Sequence, residues 1–119
     1  MKICNLNYLK SISPDNPKFV IDMVQLFLKN VPQSLKVMNS CLIDSEWHGM
    51  EHHAHKIKSH FDCMGIKKEF RDSVKQIEDY AKLQEQLHLI PGLLEKIELL
   101  FLEASKELTE DLSKNYGIN

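Results

Sequence analysis

SEWHGMEHHAHKIKSHFDCMG, residues 45–65, carries five of the chain's six histidines. How it folds decides how the rest is read. At about 100° per residue, with His55 at zero, Met50, Ile57, Phe61 and Met64 gather near 180–240°. That is the buried stripe of an amphipathic helix. Asp44 or Ser45 starts it, Glu46 suits its first turn, and Gly65 ends it. His48, His52, His55, Ser59 and Asp62 fall within about 60° of zero on the solvent side, and Lys58 sits one turn on from His55. His53 and His60 lie near 140–160°, at the edge of the buried stripe, where packing or a hydrogen bond at a helix seam is expected.

The neighbouring segments share this periodicity. Asn16 is placed to cap a helix whose first residue is Pro17. Phe19, Val20, Met23, Val24, Phe27 and Leu28 follow the i, i+3/i+4 pattern, and Val31, Leu35, Met38 and Leu42 continue it to about residue 43. Pro32 falls inside that run, so a kink or brief break is expected there. A third helix spans about 67 to 83 on Phe70, Val74, Ile77 and Tyr80/Ala81. QEQLHLIPG forms a loop, and a last helix runs from about 93 to 112. The chain has only four glycines and four prolines, and no window alternates like a strand for long. The fold class expected is all-α: an antiparallel four-helix bundle with a short N-terminal helical segment around Leu6, Tyr8 and Leu9. Residues 1–119 form one domain with its core at about 8–112 and a frayed tail at 113–119.

Composition narrows the function. The chain is 43% hydrophobic and 27% charged, ordinary for a globular protein. A net charge of −2 with dispersed basic residues gives no nucleic-acid footprint. Cys4, Cys41 and Cys63 are odd in number and form no CxxC pair, which fits free thiols in a reducing cytoplasm. No apolar run approaches the roughly 20 residues of a membrane span, and no signal peptide is evident. A cytoplasmic chain is expected, and the start at Met1 with a short tail favours a freestanding one.

The run Ala54-His55-Lys56-Ile57-Lys58-Ser59, followed by Gly65, resembles the signature of histidine-containing phosphotransfer (HPt) domains. So do the Phe27, Leu28, Pro32, Leu35 element, the Glu46-Trp47 helix start and the QIEDYAK segment. The resemblance covers about residues 8–112. It implies that His55 takes a phosphoryl group on Nε2 from an aspartyl phosphate of one receiver domain and passes it to another receiver aspartate. It also implies the partners: response-regulator receiver domains and a hybrid histidine kinase. The protein would be a monomeric phosphocarrier without a cofactor or its own ATP site.

The chemistry suits those residues. Neutral imidazole is a competent nucleophile near pH 7, and its phosphoramidate releases the group again. Lys58, at i+3, can offset phosphoryl charge. Lys56 lies about 100° away and serves as a solvated helper at most. Small residues beside His55 permit close docking, so Ser59 and Gly65 join the docking set with His52, Lys56 and Asp62. Asp62 departs from expectation by placing an acid on that face. The spacing from Gly65 to Phe70 is also about one residue longer than the family pattern, and no third-helix residue supporting His55 is named. The alternative is a metal-binding bundle in which His48 with His52, or His52 with His55, shares one ion.

Overall fold

The computed structural model describes residues 2–118. Its first long helix begins as the capping pattern dictates. Asn16 accepts the Phe19 amide at 3.1 Å through its side chain, and Pro17 opens helix α2, Pro17–Asp44. The short helix α1, Asn7–Ile12, precedes it. Helix α3 spans Trp47–Cys63, α4 spans Lys68–Leu83 and α5 spans Ile90–Tyr116, with a 3-10 turn at Leu87–Leu89 before α5. No strand occurs among the described residues, and none of their helices is long and apolar enough to cross a membrane.

Packing runs round the bundle in chain order: α2 on α3, α3 on α4, α4 on α5, and α5 back on α2. Short connections make each helix antiparallel to the one before. One buried cluster, which includes Leu9, Phe27, Met38, Met50, Ile57, Phe61, Ile77, Leu94, Ile97 and Leu108, joins all five helices. At about 1.5 Å per residue, α2 and α5 are roughly 40 Å long, whereas α3 and α4 are about 25 Å. The uncovered end is filled by α1 and the N-terminal segment. Ile3, Leu6 and Leu9 are buried, and the Ile3 and Cys4 amides donate to the Glu107 carboxylate at 2.8–3.1 Å.

Several boundaries differ from the sequence reading, each for a local reason. Helix α2 runs unbroken through Pro32, whose ring lies at an exposed position while Val31, Ser34 and Leu35 stay buried. Loss of one amide donor on the solvent side does not interrupt a helix held by its apolar stripe. Ser45 ends α2 instead of starting α3. It is left-handed at φ 55°, and the Glu46 amide closes on the Cys41 carbonyl at 2.8 Å, so α3 begins only at Trp47. Helix α5 starts three residues earlier than expected, with Pro91 in its first turn. Its end is helical to Tyr116 where fraying was expected, because half-buried Tyr116 and Ile118 pack on the core and left-handed Gly117 caps the helix.

Candidate functional site

His55 and its partner come from adjacent helices. On α3 the buried stripe is Met50, Ala54, Ile57 and Phe61, so His55, next to Ala54, is turned to the rim facing α4. On α4 the buried positions are Ser73, Val74, Ile77, Glu78 and Ala81. A carboxylate within that stripe needs partners, because burying an uncompensated charge is costly.

The partners are His55 and Lys58. His55 Nδ1 lies 2.7 Å from Glu78 Oε2, and Lys58 Nζ lies 3.3 Å from Glu78 Oε1. Lys75 Nζ approaches Glu78 Oε1 at 3.7 Å from one turn along α4. The Glu78 side chain is 12% exposed, Lys58 28% and His55 62%. Burial alone would push the Glu78 carboxyl up. Hydrogen bonds from His55 and Lys58, with the charges of Lys58 and Lys75, outweigh it and hold the group below its usual range. An ionised carboxylate only accepts, so Nδ1 carries the proton, and Nε2 of the neutral ring keeps its lone pair on the exposed side.

The other expected site residues divide by position. Ser59, exposed one turn along, donates its hydroxyl to the His55 carbonyl at 3.4 Å. Asp62 is exposed and pairs with Arg71 of α4 at 3.6 Å, so a cation faces the acid on the His55 side. His52 is exposed and meets the His53 ring edge-on at 5.2 Å. Lys56 is turned to the α2 side, where it lines a cavity of about 260 Å³ with His53, His60 and Ser34.

Gly65 sits about 15 Å along the axis from His55 and serves the chain's own packing. Its φ is +58°, and the Ile66 amide closes on the Phe61 carbonyl at 3.0 Å. The N-terminal segment crosses there, with the Asn5 amide on the Met64 carbonyl at 2.9 Å. A Cβ at Gly65 would lie 2.2 Å from the Asn5 carbonyl oxygen.

His53 and His60 occupy the α2–α3 seam. His53 Nδ1 lies 3.4 Å from the Ser34 hydroxyl, and the His60 ring stands edge-on to Phe27 at 6.4 Å. His48 is exposed in the first turn of α3. Among the described residues no group of three or more His, Cys, Asp or Glu side chains is arranged to hold a metal ion. Nδ1 of His55 is already committed to Glu78.

The sequence reading missed Glu78 and Lys75. The signal for Glu78 was present: it falls about 40° from Val74 on the apolar stripe, an unusual place for an acid.

A family model described as the Hpt domain matches residues 22–114. No curated protein sequence matches the chain. Among solved structures, the crystal structure of histidine-containing phosphotransfer protein B (HptB) from Pseudomonas aeruginosa PAO1 is similar in fold. The two are 20% identical with a TM-score of 0.77, over 89% of this chain and 88% of that one. The family model spans more than half of the sequence and includes the whole α3–α4 site. The chain belongs to the Hpt domain family.

Proposed function

We propose that His55 is the phosphorylated residue, a relay point between receiver domains. Hpt domains are phosphotransfer carriers that exchange phosphate with response-regulator receivers, and this chain has that histidine phosphotransfer role. The observation that carries the assignment to His55 is its hydrogen bond to a nearly buried, ionised carboxylate while most of the ring stays in solvent.

In the proposed step, Nε2 of neutral His55 attacks the phosphorus of a receiver's aspartyl phosphate. The P–N bond forms as the P–O bond to the aspartate breaks, and the aspartate leaves as a carboxylate. The ring becomes cationic with its Nδ1 proton in place, and the Glu78 carboxylate stabilises that charge. No proton has to leave the site, so the reverse step onto a second receiver's aspartate meets the same arrangement. Lys58 swings from Glu78 toward the phosphoryl oxygens, and Lys75 can take over its contact with Oε1. The upstream receiver would belong to a hybrid histidine kinase and the downstream one to a response regulator. Ser59, His52, Asp62 and Lys56 would border the docking surface.

The test is direct. Incubation with a phosphorylated receiver domain should transfer acid-labile, alkali-stable label to the chain, and His55→Gln should abolish it with helicity unchanged. Label that survives His55→Gln overturns the assignment.

A further inference from the structure

Away from His55, the outward face of α5 exposes two leucines among charged residues and is flanked by two grooves. An open groove of about 480 Å³ runs along one side of α5, against Phe70 and Ile3. A second, of about 370 Å³, runs along the other side, against Pro32 and Leu35. Leu99 borders the first and Leu102 the second, and each is 58% exposed. On the ridge by helical angle stand Glu95, which also lines the first groove, and Lys106, both exposed. Lys106 Nζ lies 3.6 Å from Glu103 of its own helix, in an exposed pair that can exchange partners.

This face is complementary to itself. Consider a second copy related by a twofold axis passing between residues 100 and 101, its α5 antiparallel to the first. Glu95 then lies opposite Lys106 of the other copy, and Lys106 opposite its Glu95. Each Leu99 meets its counterpart on one flank, offset by about 4.5 Å along the axis, and each Leu102 does so on the other flank. Lys96 comes within about 3 Å of axial rise of the other copy's Glu103 on the Leu99 side. The like-charged pair at the same level, Glu98 and Glu103, falls on opposite flanks, and Glu98 is held away by the Asn39 amide at 3.0 Å.

We propose that the α5 face is a homodimer surface, in which a leucine cluster at the dyad is flanked by Glu95–Lys106 pairs between copies. The reading is independent of the phosphotransfer assignment and departs from the monomer expected from the sequence. Helix α5 packs on α2 and α4, diagonally across from α3, so both His55 rings stay open to receivers in the dimer. One helix face with its two grooves falls at the small end of specific interfaces, below about 1,200 Å² in total, so association is weak and concentration-dependent.

Sedimentation equilibrium of the full chain, from about 10 µM to about 1 mM, tests this. The weight-average mass should rise from 13.9 kDa toward twice that value. Glu95→Lys, at an exposed position, should weaken the dimer about tenfold or more, and Glu95→Lys/Lys106→Glu should restore it. All variants should accept label from a receiver as the unmodified chain does. A mass that stays at 13.9 kDa throughout overturns the proposal and leaves the grooves to some other partner. A Glu95→Lys dimer as tight as the unmodified one, or a charge swap that fails to restore association, also overturns it.

Discussion

Helix α3 presents imidazoles to two neighbours, and they become different groups. Toward α4, His55 meets an ionised carboxylate and keeps most of its ring in water. Toward α2, His53 and His60 meet a hydroxyl and a phenyl ring and are partly covered. Burial, followed by the charge of Lys56, pushes both seam histidines down, with His52 adding to the effect on His53. The residue type and the helix are the same, and His53 and His60 lie only two and five residues from His55. The facing helix therefore decides whether an imidazole on α3 stays open to solvent on an ionised partner or packs at a seam.

The sharpest way to break this comparison is to delete each imidazole in turn. His55→Gln should remove all label from the chain. His53→Gln and His60→Gln should each still accept it, with rates within about threefold of the unmodified chain. Label lost from either seam variant while its helicity is intact would show that the seam takes part in the chemistry.

Next in size is the partner on α4. Glu78→Ala should slow transfer about 10- to 100-fold, as removal of a carboxylate that orients an imidazole does elsewhere. Glu78→Gln, which keeps an acceptor oxygen and loses the charge, should fall between. Imidazole ¹⁵N shifts give an independent readout, with protonated Nδ1 in the unmodified chain and a mixture of tautomers in Glu78→Ala. An unchanged tautomer would mean that Glu78 does not orient His55.

The lysines give a smaller contrast that follows the same division. Lys58→Ala should slow transfer or destabilise the phosphorylated form about tenfold, because its ammonium reaches the Glu78–His55 pair. Lys56→Ala, on the α2 side, should change the rate less than about twofold. Equal effects would erase the distinction between the two sides of the helix.

These residues also show what was legible in the sequence. Periodicity assigned the faces of α3, so His55 and Lys58 could be separated from His53, His60 and Lys56 before any coordinates. Asn16 and Pro17 marked the start of α2 for the same local reason that the structure shows. What stayed hidden depends on phase between helices. A wheel places Glu78 on the apolar stripe of α4 but does not say which α4 position faces His55, so its pairing with the imidazole was not legible. Ser45 was misread because a serine before a helix usually caps it, whereas here its left-handed backbone closes the preceding one. Pro32 was misread because a local signal was weighed without the tertiary packing that holds α2 together. Of the tail expected at 113–119, residues 113–116 are helical and residue 119 lies outside the described residues.

The smallest predicted effect concerns pH, and its sign distinguishes the two sides again. His53 and His60 have folded pKa values below the ordinary 6.5, so the unfolded chain binds more protons than the folded one. Their contribution to stability is complete above about pH 6.5 and is lost as the pH falls through the lowered folded values. Glu78 is also lowered, but from 4.5, so its contribution holds down to about that pH and is lost only below it. Between these limits the loss belongs to the α2 seam, and it is small because both rings are only partly covered. Denaturant midpoints measured from pH 7.5 to 5 should therefore decline gently, and His53→Gln/His60→Gln should flatten the decline while Glu78→Gln leaves it in place. A decline abolished by Glu78→Gln instead would place the pH-sensitive packing on the α4 side and reverse the contrast.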